Sequence, residues 1–399
     1  MGRILLAFYC MVVPMVAMGG DKPVPNYDES KIPPYTLPDV LTDSKGKKIT
    51  TAKEWQEYRR AEVLELFKVH MFGRSPGRPE KLSFKTVSEN KGALDGTATA
   101  REVDVVIEKD GKNVTIRVNL IVPNKREKPA PAFLLINNRS ADNIDITRVK
   151  KSPFWPAEEI VARGYAAVAF HNEDVALDKD TGFKDGIFNL LDGGKPRGPD
   201  SWAVLSAWAW GASRVMDYLE IDADIDAKHV AVIGHSRGGK TALWTGAQDE
   251  RFALTISNDS GCGGAALSRR WYGETVAAIN LNFPFWFCEN FKKYDDHESD
   301  LPLDQHMLLA LMAPRAVYVA SAEDDKWADP KGEYLGLYYS SPIYELFGLK
   351  GLPSDQPPPI EKPVYGDVMG YHIRPGKHDL TLYDWQRYMD FADRLWKQK

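Results

Sequence analysis

The sequence predicts an α/β fold: a mostly parallel sheet with antiparallel N-terminal strands, held between helical layers as a three-layer sandwich. Three observations carry this. Short, nearly continuous apolar runs (AFLLINN, GYAAVAFH, HVAVIGH, FALTISND and RAVYVASA) follow one another from residue 132 onward, as suits strands buried on both faces. Helical segments such as PAEEIVARG and SWAVLSAWAWGASRVMDYLE separate most of them, as parallel crossovers require. Upstream, REVDVVIE and NVTIRVNLIVP alternate apolar and polar residues around Asp110-Gly111, which signals a hairpin.

Taken in order, residues 1–20 read as a secretory signal peptide: Arg3, an apolar run to Met18, then small residues about Gly19. The polar, Pro-rich DKPVPNYDESKIPPYTLPD that follows favours removal over anchoring, and no other stretch approaches membrane-spanning length. Residues 21–399 are expected as one domain, a monomer, secreted or periplasmic. TAKEWQEYRRAEVLELFKVHMFG reads as an amphipathic helix closed by Gly73. A long excursion rich in aromatics and charge, from Gly261 to Met312, separates two of the buried strands. It is placed to overhang their C-terminal ends and shape a pocket.

With 399 residues, 43% hydrophobic and 27% charged, the chain can bury a large core. A net charge of −5 argues against nucleic acid or an anionic membrane as partner. Cys262 and Cys288 allow one disulfide in an exported protein or two buried thiols; with no His or Cys neighbours at metal-ligand spacing, buried thiols are the preferred reading.

Within VAVIGHSRGGKTALW, Val230, Val232 and Ile233 close a buried strand, and a helix runs from Thr241 to Ala247. Between them Gly234, Ser236 and Gly238 spell G-x-S-x-G across the turn. That matches the nucleophile elbow of the α/β-hydrolases, whose serine sits in strained backbone flanked by residues with almost no side chain. Gly-rich turns also produce the pattern by chance, so its meaning rests on partners elsewhere.

A nucleophilic Ser236 needs a base and an acid that orients it, in the chain order serine, acid, histidine. His297, His306, His372 and His378 follow Ser236. His372 lies inside the last apparent strand, VMGYHIR, and reads as structural. His378 sits in RPGKHDLTLYDW, a turn-rich loop from which a base can reach the elbow. His297 and His306, with Asp295, Asp296, Asp300 and Asp304, match no metal-ligand spacing and read as a solvated charged loop. Two strand-end acids are candidates: Asp259 in SNDSGCGG and Asp325 in VASAEDDKWADP, where this fold most often carries its acid. Arg237 and Lys240 fall in the first turn of the elbow helix, an unfavourable place for cations, which points to a use for them.

GHSRGGK, NDSGCGGAALSRR, GETV, DQHML, ASAEDDKWADPKGE and KHDLTLYDW together resemble the bacterial branch of the glucuronoyl esterases, carbohydrate esterase family fifteen. The resemblance runs from about residue 50 to the end of the chain. It implies a cofactor-free, metal-free serine esterase that cleaves the ester between 4-O-methyl-glucuronic acid on glucuronoxylan and a lignin alcohol. It makes Ser236 the nucleophile, His378 the base, and Arg237 the arginine that helps hold the oxyanion. Lys240, Glu274 and Trp327 match positions that hold the glucuronate ring. Asp259 stands where fungal members carry a glutamate, and Asp325 where many bacterial members carry their acid, so the division of labour between them stays open. His235 departs from the fungal pattern, which has a disulfide-forming cysteine before the serine.

The residues suit that chemistry on their own terms. A uronate ester joins the scissile carbonyl to a sugar ring, so recognition must grip ring hydroxyls. A lysine and a carboxylate can do so, while a tryptophan covers a sugar face. Other readings are an acetyl xylan esterase, a prolyl-oligopeptidase-type peptidase and an inactive hydrolase scaffold that only binds. The first has no need of Arg237 and Lys240. The second usually brings a large N-terminal propeller, and the third is disfavoured by a complete set of catalytic residues in the right order.

Overall fold

The computed structural model describes residues 24–397; the expected signal peptide lies outside the described residues. Ten strands are described: β1 (Lys81–Ala93), β2 (Ala98–Lys109), β3 (Lys112–Pro123), β4 (Ala130–Asn137), β5 (Ala166–His171), β6 (Ile225–His235), β7 (Leu254–Asn258), β8 (Ala316–Ala322), β9 (Val364–Tyr365) and β10 (Met369–Arg374). They form one sheet in the order β1-β2-β3-β5-β4-β6-β7-β8-β10-β9. Pairing is antiparallel from β1 to β5, parallel from β5 through β10, and antiparallel again at β9.

The β2–β3 hairpin turns where expected: Asp110 and Gly111 both have positive φ, 52° and 75°, and Lys109 faces Lys112 across the turn. β1 has no counterpart in the sequence reading. Its residues KLSFKTVSENKGA are mostly exposed, so there is little apolar alternation to detect. Its charges suit a sheet edge that must not pair further.

Alternation along the parallel strands divides the core in two. Leu134 and Val232 face one layer, while Phe133, Leu135 and Ile233 face the other. The first face is covered by the helices Val204–Leu219, Arg237–Gln248 and Pro330–Leu346, the second by Ala157–Ala162 and Leu382–Trp396. Truncating a fully buried residue such as Leu134 to alanine is expected to cost about 2–5 kcal/mol. Among the described residues no helix is long and apolar enough to cross a membrane.

The segment read as one amphipathic helix runs from Ala52 to Phe72 but alternates α and π turns. It ends at Gly73 with φ 84°, where a Cβ would lie 2.3 Å from Ser201 O, so only glycine fits. This helix supports the elbow helix Arg237–Gln248 from below. Phe72 stacks on Trp244 with ring centroids 4.4 Å apart, and the Arg60 guanidinium donates to Ala247 O at 2.8 Å. A cation at a helix C-terminus is favourable.

Candidate active site

Strand β6 delivers Ser236 at its C-terminal end with φ 58° and ψ −126°, a strained conformation for a residue with a Cβ. The neighbours explain how it is held. A Cβ on Gly234 would lie 2.0 Å from Gly238 O, and one on Gly238 would lie 3.0 Å from Asn138 Oδ1. The Ser236 N–H donates to Asn258 O on β7 at 2.9 Å, while Gly239 and Lys240 N–H donate back to Ser236 O. The Arg237 and Gly238 N–H groups open the helix and precede its first internal bonds, as donors that a developing oxyanion can use.

His378 comes from the loop after β10. Its Nδ1 lies 2.5 Å from Asp325 Oδ2, and its ring is exposed. Its ring centroid is 4.4 Å from that of His235, the residue before Ser236. The loops carrying Asp325 and His378 are stitched together: Glu323 N–H donates to Arg374 O at 2.9 Å and Asp324 N–H to Gly376 O at 3.0 Å. Glu323 and Asp324 point to solvent, whereas Asp325 is buried.

Asp259 also lies beside this pair; one donor atom each from Asp259, Asp325 and His378 fall within 4.8 Å of one another. Its hydrogen bonds go elsewhere. Oδ2 accepts from Asp379 N–H at 3.2 Å and from Arg374 Nη2 at 3.4 Å, and Oδ1 is buried with no partner. Burial first, then the nearby Glu333 and Asp384 carboxylates, push the Asp259 carboxyl well above the usual range despite Arg374.

The arginine and lysine of the elbow helix diverge. Arg237 pairs with Asp178 from the loop after β5 and lies over the Trp286 ring, 5.0 Å from its centroid. Trp286 Nε1–H donates to the other Asp178 oxygen at 2.8 Å. Lys240 is buried; its Nζ donates to Ser260 O at 2.5 Å and sits 3.6 Å from Glu274 Oε2. Burial raises the Glu274 carboxyl, with Lys240 and the Trp327 indole pulling it back. Trp327 remains partly open to solvent, and its carbonyl accepts from Glu274 N–H at 2.9 Å. Lys240, Glu274 and Trp327 are thus brought together one helical turn from Ser236, while the Arg237 guanidinium faces Asp178 and Trp286.

His372 is buried between Tyr318 OH at 3.0 Å and Asp384 Oδ1 at 2.9 Å, a satisfied structural histidine. The charged stretch around His297 and His306 is less solvated than the sequence suggests. His306 is buried and bonds Pro38 O at 2.9 Å, while His297 is exposed. Cys262 and Cys288 are free, buried thiols.

A family model described as glucuronyl esterase, fungi, matches residues 105–348. The chain is 42% identical to carbohydrate esterase MZ0003 from an unknown prokaryotic organism, over 92% of this chain and 91% of that protein. The solved glucuronoyl esterase from Solibacter usitatus is 44% identical with a TM-score of 0.87, covering 92% of this chain and all of that one. The chain belongs to the glucuronoyl esterase family. Within that family it is also similar, at 26% identity and TM-score 0.66, to the Sporotrichum thermophile glucuronoyl esterase solved in complex with methyl 4-O-methyl-β-D-glucopyranuronate; that match covers 91% of this chain and 88% of the other. Membership makes the protein a carboxylic ester hydrolase on an α/β-hydrolase fold.

Several residues of this glucuronoyl esterase's site escape sequence reasoning. His235, which the sequence marks only as a departure from a pattern, is held by hydrogen bonds. Burial and the neighbouring His378 push its pKa well below the ordinary value, so the ring is neutral. In that state Nδ1–H donates to Asn258 Oδ1 at 2.6 Å and Nε2 accepts from Arg139 Nη2 at 3.3 Å. Arg374 donates to the Lys377 and Asp379 carbonyls and to Asp384, fastening the His378 loop. Glu333 accepts from the Ser260 and Gly261 N–H groups at 2.7 and 2.9 Å. The His235 and Glu333 contacts pair across 23 to 96 residues, whereas those of Arg374 are local to its own loop. The one usable signal was the aromatic cluster FPFWF in the excursion, which supplies Trp286.

Proposed function

We propose that the protein hydrolyses the ester between (4-O-methyl-)glucuronic acid of glucuronoxylan and lignin alcohols through an acyl-enzyme on Ser236. It acts as a secreted or periplasmic monomer whose residues 21–399 work as one catalytic domain. The observation that carries the substrate is the buried Lys240–Glu274 pair with Trp327, set one turn of helix from the serine. A lysine and a carboxylate at that place can bind ring hydroxyls, and an indole beside them can cover a sugar face. An acetyl group has no use for any of the three.

In this reading Ser236 Oγ attacks the uronate carbonyl while His378 Nε2 takes its proton. Asp325 accepts from Nδ1–H, fixing the tautomer and stabilising the imidazolium. The Arg237 and Gly238 amides hold the oxyanion, and the Arg237 side chain, fixed on Asp178, keeps positive charge beside it. His378 then returns the proton to the departing alcohol. Water activated by the same histidine cleaves the acyl-enzyme, releasing the free uronic acid and restoring the Ser236 hydroxyl. No step calls for a metal or cofactor.

The test is kcat/KM on benzyl glucuronate against para-nitrophenyl acetate. The glucuronate ester is expected to be far the better substrate. Comparable or faster turnover of the acetate would favour an acetyl esterase instead.

A further inference from the structure

Beyond the residues that hold the glucuronate ring, the N-terminal arm lies against the same wall of the site. Asn26 O accepts from Gly273 N–H at 2.8 Å, and Asn26 Nδ2 donates to Trp271 O at 3.3 Å. Glu29 pairs with Arg270 at 2.5 Å and with Lys331 at 3.0 Å, and Arg270 is itself held by Asp329 at 2.8 Å. On its other side Gly273 packs on Trp327, so closely that a Cβ would lie 2.4 Å from Trp327 O. The arm, the loop 271–274 and Trp327 therefore form one continuous layer, and Glu274 is part of it.

That layer carries an unusual surface. Of eleven tryptophans in the sequence, the two exposed among the described residues are Trp271 at 40% and Trp327 at 37%, and Tyr27 on the arm is exposed to 46%. Trp271 is held at φ 49° and ψ 46°, left-handed backbone that a bulky residue rarely adopts. Trp271 and Tyr27 border a shallow cavity of about 550 Å³ whose lining includes Asn26, Asp28 and Lys31. The Cα atoms of Trp271 and Glu274 can be no more than about 11 Å apart along the chain.

We propose that Trp271 and Tyr27 form a saccharide subsite for the sugar chain that carries the esterified uronate. This rests on the glucuronoyl ester reading given above. Open aromatic faces beside exposed polar side chains suit sugar rings, which offer an apolar face and peripheral hydroxyls. The leaving alcohol is an unsuitable occupant, because it must depart next to His378, which protonates it. The arm instead extends from Glu274 and Trp327, which hold the uronate ring. The arm is thus a specificity element rather than a mere strap.

The test compares the methyl ester of free glucuronic acid with the methyl ester of glucuronic acid borne on a xylo-oligosaccharide, so that the alcohol is constant. The quantity read is the ratio of kcat/KM on the second ester to that on the first. Trp271→Ala is expected to lower this ratio about tenfold through KM, a loss in keeping with one stacking contact. Trp271→Phe should restore much of it, and Tyr27→Ala, on the exposed arm, should lower it severalfold even if Trp271→Ala folds poorly. An unchanged ratio overturns the subsite, whether both esters fall together, as for a purely structural arm, or neither falls. A ratio that responds instead to exchanging methyl for benzyl alcohol overturns it in favour of an alcohol site. If the unaltered protein turns over neither ester, the functional reading itself fails and the subsite with it.

Discussion

The ends of β7 and β8 lie side by side, and each carries an aspartate close to His378, yet the two are built differently. Asp325, after β8, places one carboxylate oxygen 2.5 Å from His378 Nδ1 at the mouth of the site. Asp259, after β7, is turned inward at φ 44° and accepts from the main chain of Asp379 and from Arg374. Behind it Glu333 holds the Ser260 and Gly261 amides and contacts Ser321 Oγ at 2.6 Å. In the proposed mechanism one strand end orients the base, while the other braces the loop that carries His378. Proximity of an acid to a histidine does not assign its work. The hydrogen-bond partners do.

The largest effects should come from breaking what both strand ends serve. Ser236→Ala and His378→Ala are each expected to lower kcat by about 10⁴–10⁶-fold, the double variant little more, because the residues act as a unit. Unchanged circular dichroism would show that the fold survives. Activity kept in His378→Ala but lost in His372→Ala would move the base to β10.

A smaller effect sharpens the β8 side. Glu274→Ala should lower kcat/KM on glucuronate esters by about 10- to 100-fold, as for loss of a charged hydrogen bond. Most of this should appear in KM, with any residual activity on small acetyl esters spared. Equal losses on both substrates would make Glu274 a structural partner of Lys240 instead.

The smallest effect on turnover is expected behind β7. Burial pushes Glu333 from 4.5 up to about 8. The folded state therefore holds a proton that the unfolded chain releases above about pH 4.5, and stability from this group is full below that pH and lost as pH rises through 8. Glu333→Gln keeps an acceptor for the Ser260 and Gly261 amides but cannot ionise. Its melting temperature should fall less than that of the unaltered protein between pH 5 and 8.5, with kcat changed only a few-fold. Parallel melting curves across that range would remove Glu333 as the source.

The elbow was legible in the sequence because sterics leave few choices: Gly234 and Gly238 are the residues a sharp strand-to-helix turn can accept. The parallel strands were legible because burial on both faces writes continuous apolar runs. β1 was not, since an exposed edge strand buries too little to leave a period. The supports of the site were also hidden. Asp178 meets Arg237 across 59 residues and Glu333 meets Ser260 across 73, and a carboxylate in a loop looks the same whether it braces a site or faces water. The π turns of Ala52–Phe72 share the apolar spacing of an ordinary helix and leave no separate signal.

The two aspartates themselves provide the most direct test. Asp325→Asn should cost about 10²–10⁴-fold in kcat, because an amide no longer fixes the His378 tautomer or steadies its charge. Asp259→Asn should cost at least tenfold less than Asp325→Asn. Its carboxyl is already biased toward the neutral form, and an asparagine oxygen can still accept from Asp379 and Arg374. The measurement is steady-state kinetics of both single variants and the double on benzyl glucuronate. The account predicts that ranking, with the double variant close to Asp325→Asn alone. The reverse ranking, or two modest losses that collapse together in the double, would contradict it.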